Sequence, residues 1–519
     1  MKFCKLADIS DWQDPEFEEI ASLLMEAVQS RKAWEFVQIY RGLKQLGLLN
    51  GQSQALGLGV GHEGLIYAFT HVCQHVTATD LYESKEWTTA AMSVQDVYDK
   101  SPFPYQRDQL TVRHMDMTQI QYPDASFDFV WSCCAIEHVN DFRDLHQVYR
   151  EIHRVLKPGG IAALTTEFNM TDRPSYEPNL LFTDRQWVES WLTGADPLIR
   201  GFELLDSPSF ALSDRPENQP VSRKEPVASI QVYCNDIVLN SVAFFLRKAG
   251  EFDRGYDEQW LPQFWRDYLA ACGAYRASEF EQSEVLLRQL LKEPLEPRLK
   301  VRALRRLADA LFAQAKLDQT KLDQVRQVCQ AALPDCEVFQ DEDQLMPLAV
   351  YCQQTGLDEE ARRLFEQVEH LLSANLELVI QSRLQQAAYY EKQRQFDKAL
   401  ELVGQAEQAI IPGDYTEAKF KPKVYFRTGF LYEKIGQLSS AIRFYRLAIQ
   451  IAAPNTEFQI NCYRRLTHCL QTQVNQANEK LDRLEASNRA IQNSKFWKLR
   501  SAVVSVKNRL QKRDRSAST

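Results

Sequence analysis

No run of about eighteen or more apolar residues occurs anywhere in the 519 residues, so no segment is expected to span a membrane. The opening residues, MKFCKLADISDWQDPEFEE, turn acidic where a secretion signal needs an apolar core. A basic excess is also missing. Lys and Arg number 61 against 70 Asp and Glu, a net charge of −9, without the basic footprint that nucleic-acid binding requires. The eleven cysteines are scattered, with only Cys133 and Cys134 adjacent and no C-x-x-C pair. That excludes a disulfide framework and predicts reduced, buried thiols in a cytoplasmic protein. The nine histidines show no H-E-x-x-H spacing, so no metal site is expected.

What is present falls into three patterns. Residues 15–250 mix helical stretches with the β-rich runs QALGLG, HVTATD, FDFVWS, IAALTT and SVAFFL. Strand and helix in alternation predict a parallel sheet covered on both faces. From 258 to 470 strand signals almost vanish, and Leu, Ala, Gln, Arg and Glu recur at helical spacing. There Gly356, Ala361 and Phe365 are followed by Ala387, Tyr390, Ala399 and Ala406. Gly429, Tyr432, Gly436, Ala441, Tyr445 and Ala448 follow in turn, with Pro454 closing the unit. Small residues fall where paired helices touch, and aromatics fill the space between. This resembles a degenerate tetratricopeptide array with a period longer than the usual ~34 residues. The concave face of such an array implies a protein partner; a non-repeating helical bundle is the alternative.

The last pattern, 471–519, starts with Val474, Ala477, Leu481, Leu484, Asn488 and Ile491 at three–four spacing. That is a short coiled-coil seam, 474–491, suited to joining two copies of the chain. Beyond it, Phe496, Leu499, Val503, Val506 and Leu510 line one face of a basic helix, 494–513. Such a helix suits peripheral contact with the anionic inner face of a membrane, or docking on the helical array.

The chemistry-bearing residues lie in the first pattern. A strand runs into Gly57-Leu58-Gly59-Val60-Gly61-His62-Glu63-Gly64. Glycines let the backbone turn sharply and approach a ligand, and a helix expected from about His62 to Val72 points free N–H groups at it. Gly59, Gly61 and Gly64 spell G-x-G-x-x-G, which by itself fits a dinucleotide as well as any other nucleoside ligand. HVTATD ends a second strand in Asp80, where a carboxylate can accept both hydroxyls of a ribose.

The stretch from Arg113 to Gly160 discriminates. Asp116 follows a third strand, P-D-A-S-F-D enters a fourth, Glu137-His138 follow it, and R-V-L-K-P-G-G precedes a fifth. This series resembles the class I methyltransferases, in particular the branch that holds the ubiquinone and menaquinone enzymes, over residues 50–170. The resemblance implies a Rossmann-like α/β domain with a mostly parallel, seven-stranded sheet, and S-adenosylmethionine as cofactor. It divides the chain into an N-terminal helical cap (1–50), a methyltransferase domain (51–250), tetratricopeptide-like repeats (258–470) and a coiled coil with a basic amphipathic tail (471–519). It implies that Gly57, Gly59 and Gly61 face the methionine part of the cofactor and that Asp80 binds its ribose. Asp116 would meet the adenine amino group, Met117 line the ring, and Ser132 lie beside the cofactor. Glu137 and His138 would border the transfer pocket, with His138 the candidate general base and Glu167 a further carboxylate. Where the family often carries an acid at the end of the first strand, this chain has Gly57. Glu63 is the residue expected to meet the cofactor's ammonium in its place, or else it is an ordinary first-turn acid.

Substrate contacts are expected outside these motifs, from Trp34, Glu35, Phe36 and Tyr40 and from residues 169–240; packing roles are the alternative. The G-V-G-H-E and V-T-A-T-D strings are similar to a bacterial methyltransferase subgroup associated with cell-surface sugars, and S-K-F-W-K-L-R resembles tails of surface-polysaccharide enzymes. The resemblance therefore implies methylation of a small molecule or a sugar or glycan precursor. A cofactor-binding scaffold without activity and an NAD-dependent oxidoreductase are the rival readings.

Overall fold

The computed structural model describes all residues except 27, 83–92, 223–228, 316–317, 372–374, 414, 453–455 and 517–519. Pro454 lies outside the described residues, as do the side chains from Leu510 onward. The chain divides into two compact units, Met1–Leu378 and Val379–Thr519, so that the 258–470 region is shared between them.

The first unit is built on a sheet. Its strands in chain order are β1 (Lys5–Leu6), β2 (Gln54–Leu58), β3 (His75–Asp80), β4 (Leu110–His114), β5 (Phe127–Cys133) and β6 (Leu156–Asn169). A separate hairpin, β7 (Tyr176–Glu177) and β8 (Leu180–Leu181), interrupts before β9 (Phe202–Leu204), β10 (Val232–Cys234) and β11 (Ile237–Lys248) complete it. The sheet order is β1-β11-β6-β5-β2-β3-β4, with β9 and β10 also pairing on β11. Strands β6, β5, β2, β3 and β4 are parallel and β11 is antiparallel to β6. Among the described residues nine strands join, where the resemblance implied seven. The far edge of the twelve-residue β11 is covered piecemeal by β1, β9 and β10, each two or three residues long, too short for periodicity to reveal.

Helices pack on both faces. They are α1 (Pro15–Leu23), α2 (Arg31–Gln45), α3 (Gly64–Thr70), α4 (Val94–Asp99), α5 (Phe142–Val155) and α6 (Arg185–Val188). Residues 1–50 are part of this layer rather than a separate cap. Lys5 and Leu6 pair with Ala243 and Val242. A Cβ on Gly42 of α2 would lie 2.2 Å from the ring of Phe245 on β11, so only glycine allows that approach. Trp34 and Phe36 are buried in the core, and Tyr40 stacks on Phe69 at 5.8 Å. These three pack the α2–sheet layer.

Helices α7 (Gln263–Arg276), α8 (Phe280–Leu290), α9 (Pro297–Gln314), α10 (Thr320–Cys336), α11 (Glu342–Gln354) and α12 (Asp358–His370) complete the first unit. One apolar cluster runs from the sheet into them, with Val148, Leu164 and Phe244 continuous with Tyr268, Leu307 and Phe365. The second unit runs from near the start of α13 (Leu376–Lys392) through α14 (Phe396–Gln408), α15 (Tyr415–Lys434), α16 (Leu438–Ile451), α17 (Glu457–Asn493) and α18 (Lys495–Ser516). The recurring alanines Ala361, Ala399 and Ala441 are all buried at helix contacts. Gly429 lets α15 approach the Tyr445 ring of α16, where a Cβ would sit 3.1 Å away. In α17 only Cys462 and Cys469 are buried. Leu481, Leu484 and Ile491 stand exposed, as do Phe496, Leu499 and Val503 of α18. No helix among the described residues is long and apolar enough to cross a membrane.

Candidate active site

The glycine loop follows β2, in the middle of the parallel strands. Gly57 is buried in β2 opposite Trp131 of β5, and a Cβ at 57 would come within 2.4 Å of the indole. Gly59 and Gly61 adopt φ of 63° and 47°, left-handed values that favour glycine. A Cβ on Gly59 would meet the Ala135 methyl at 2.5 Å and the Met117 methyl at 3.4 Å. Loop, Met117 and the turn after β5 therefore converge. Helix α3 begins at Gly64, two residues later than expected, and spans only seven residues.

Two carboxylates address the loop. Asp80, at the end of β3, accepts the Gly61 amide on Oδ2 at 3.1 Å and the Tyr82 amide on Oδ1 at 3.2 Å. Thr79 donates to the Gly57 carbonyl at 2.7 Å, which ties β3 to the loop's base. Glu63 caps α3 by position but makes no side-chain cap bond. Its carboxylate turns inward and accepts the Trp131 indole N–H at 3.2 Å. It is 3% exposed, and burial pushes its carboxyl well above the ordinary range while Lys32 and the Trp131 bond pull it back.

Asp116 is exposed in the turn after β4, where Oδ1 accepts the amide and the hydroxyl of Thr118, both at 2.8 Å. Ser132 is enclosed, and its hydroxyl donates to the Leu58 carbonyl at 2.8 Å, bracing β5 against β2. The K-P-G-G string loops out between the Leu156 and Ile161 pairings with Phe127 and Phe129, Gly159 at φ 76°, and does no chemistry there.

Past β5, a 3-10 turn carries Glu137 and His138. Glu137 is 1% exposed. Its Oε1 accepts the Glu167 amide at 2.9 Å, and its Oε2 is buried without a hydrogen bond. Burial raises its carboxyl, against the pull of His138. His138 is half-buried and donates from Nδ1 to the Asn179 carbonyl at 2.7 Å. At the end of β6, burial would raise the Glu167 carboxyl, but Arg31, donating at 2.7 Å, and His138 hold it below the ordinary range.

Sequence reasoning missed the start of α2. Arg31 also reaches the Ser241 hydroxyl at 3.1 Å, while Lys32 donates to Glu35 at 2.6 Å and to the Cys133 carbonyl at 3.2 Å. Glu35, a candidate substrate contact, is fully buried as their partner. The available signal was Arg31-Lys32 opening the helix with an acid, Glu35, one turn on, which is a pattern that exposed helices share.

Gly64, the last glycine of the G-x-G-x-x-G string, lies against the Leu24 carbonyl, where a Cβ would be 3.0 Å away. It serves helix packing. The Gly61 amide, which a pyrophosphate would need, already faces Asp80. An acid-lined loop of this kind suits a cationic nucleoside ligand better than an anionic one.

Comparison with known proteins agrees. Residues 56–164 match the family model described as a methyltransferase domain. Over 116 residues the chain is 35% identical to a sterol 24-C-methyltransferase of Aspergillus fumigatus, covering 20% of this chain and 29% of that protein. Over 57 residues it is 42% identical to a 27-O-demethylrifamycin SV methyltransferase of Amycolatopsis mediterranei, covering 11% of this chain and 20% of that one. The chain thus spans less than a third of the length of these curated relatives. Among solved structures, an S-adenosylmethionine dependent methyltransferase from Mesorhizobium loti aligns with a TM-score of 0.20 and 24% identity, over 25% of this chain and 52% of that one. The matched segment of this chain runs from the glycine loop through Asp80, Asp116, Glu137 and His138 into β6.

Proposed function

We propose that the chain is an S-adenosylmethionine-dependent methyltransferase acting on a small molecule or a sugar or glycan precursor. The observation that carries this is the pair of acids, Asp80 and Glu63, set around the glycine loop inside the matched methyltransferase segment. In this reading Asp80 binds the ribose hydroxyls, Asp116 and Met117 meet the adenine, and Glu63 meets the methionine ammonium. S-adenosylmethionine brings a methyl group already activated on a sulfonium, so the protein's task is to align the acceptor and manage its proton.

For a hydroxyl acceptor the proton falls to His138. With Nδ1 donating to the Asn179 carbonyl, the neutral ring carries its lone pair on Nε2. Burial favours the protonated form of Glu137, while Arg31 and His138 favour the ionised form of Glu167. Arg31, on Glu167, supplies the compensating cation. Retention of both cofactor acids together with His138 supports an active enzyme over a scaffold. The blocked Gly64 and the occupied Gly61 amide speak against an NAD-dependent oxidoreductase.

The finer parts of the reading belong to the helices. The array presents a partner-binding surface, the exposed seam of 474–491 pairs two copies, and 494–513 lies on an anionic membrane surface from the cytoplasmic side. The test of the activity is incubation of the protein with cell extract and methyl-labelled S-adenosylmethionine. Mass spectrometry should find a small product carrying the label, absent with His138→Ala; no labelled product from any extract fraction counts against an enzyme.

A further inference from the structure

The β7–β8 hairpin is too small to hold itself. Each strand has two residues, and an isolated hairpin is marginal even when longer. Yet its tip makes two bonds to the segment that carries the candidate base. The Asn179 carbonyl accepts from His138 Nδ1 at 2.7 Å, and the Asn179 amide donates to the Val139 carbonyl at 3.0 Å. Asn179 itself is held at φ 67°, a left-handed conformation.

Just beside that tip the hairpin is gripped by three helices outside the sheet. Glu177 is buried, and its Oε1 accepts from the Tyr268 hydroxyl of α7 at 2.7 Å, Arg302 of α9 at 2.9 Å and Gln344 of α11 at 2.9 Å. Its Oε2 accepts from Arg306 of α9 at 2.9 Å. Burial would raise this carboxyl, and Arg306 and Arg302 hold it below the ordinary range. Neighbouring bonds point the same way. Arg302 donates to Ser175 Oγ at 3.0 Å, Arg298 to the Pro174 carbonyl at 2.8 Å, and Arg276 to Asn140 Oδ1 at 2.7 Å, two residues past His138.

A buried ion pair is a costly way to join two layers, because desolvation offsets most of the attraction and well-packed apolar groups serve as well. What such a cluster of directed charged bonds adds is fixed geometry, even with Arg302 Nε, Arg306 Nε and Gln344 Oε1 buried without a hydrogen bond among the described residues. We propose that α7, α9 and α11 form a positioning apparatus for the acceptor side of the site: Glu177, clamped by Arg302 and Arg306, fixes the hairpin whose Asn179 carbonyl sets the tautomer and aim of His138. Glu177, Arg302 and Arg306 are positioning residues, since they act through the hairpin. The proposal rests on His138 as base and adds that this base is set from the helical region.

The test uses the full chain, labelled with 15N-histidine. The His138 signals are those missing from His138→Gln, and their nitrogen shifts report which ring nitrogen carries the proton. The wild type should show the Nδ1–H form. Glu177→Gln and Arg306→Met should shift it to a mixture of tautomers while S-adenosylhomocysteine affinity, measured by calorimetry, stays within about twofold. Asn179→Gly, which keeps the carbonyl and tolerates positive φ, should match the wild type. Asn179→Val, strained at that φ, should behave as the clamp variants do, and it leaves the buried cluster intact should the others fail to fold. An unchanged Nδ1–H form in Glu177→Gln and Arg306→Met, or in Asn179→Val, overturns the proposal. Labelled product that survives His138→Ala removes the base reading instead, and leaves the tautomer result to judge the clamp.

Discussion

Gly57, Trp131 and Glu63 form one arrangement. With no Cβ at 57, the Trp131 indole lies across β2, and its N–H reaches the Glu63 carboxylate at 3.2 Å. An acid at 57 would collide with that ring; we propose that Glu63 supplies the carboxylate instead. Glu63 is buried with its carboxyl raised by desolvation, so the folded protein holds a proton there above the pH at which an exposed glutamate ionises. An ammonium ligand favours the ionised form. Its binding therefore releases a proton, and affinity rises with pH through the window above the ordinary carboxylate value of about 4.3. Calorimetry with S-adenosylhomocysteine between about pH 5 and about pH 8 should show that rise in the wild type. Glu63→Gln should flatten it and weaken binding roughly 10- to 100-fold, the scale of one charge-assisted hydrogen bond. Affinity equal to wild type in Glu63→Gln would leave Glu63 a structural acid. The sequence showed that the family's strand-end acid is missing and offered Glu63 either as its replacement or as an ordinary first-turn acid. It could not show why, because nothing in F-D-F-V-W-S distinguishes an indole lying over a glycine from one packed elsewhere.

At the scale of elements, chain order and the parallel core were legible because β2, β3, β5 and β6 are apolar runs separated by helices. The strands missed were those of two or three residues; among them β1, β9 and β10 form where β11 offers an edge and not from their own pattern. The role of α2 was hidden too. Its aromatics read equally well as cover for a ligand or as packing, and Gly42 marks the second, since the helix approaches β11 at that point. Glycine is ordinarily worth about 1 kcal/mol less than alanine in a helix. Gly273 of α7 has open space around its missing Cβ, so Gly273→Ala should gain up to about that amount. Gly42→Ala should instead lose about 1–3 kcal/mol through collision with the Phe245 ring. Urea midpoints of the two variants measure both, and a stabilised Gly42→Ala would refute the close approach.

For the whole molecule, packing joins α7–α12 to the sheet. A chain ending at Leu378 should keep its fold and cofactor affinity, whereas one ending at residue 257 leaves Glu177 buried without Tyr268, Arg302, Arg306 and Gln344. Loss of a cooperative thermal transition in the shorter chain and its retention in the longer one is the expected result. The exposed apolar residues of α18 should bind anionic vesicles: deleting 494–519 should abolish co-sedimentation, and equal sedimentation would remove the membrane role. None of this depends on the domain boundaries read from the sequence, which followed changes in periodicity, whereas the compact units follow buried contacts. The central claim is that the acid-lined glycine loop holds S-adenosylmethionine. Its most direct test is titration of the full chain with S-adenosylhomocysteine and, separately, with NAD. Saturable binding of S-adenosylhomocysteine at one site per chain, lost in Asp80→Ala and absent for NAD, is predicted; saturable NAD binding with none for S-adenosylhomocysteine would contradict it.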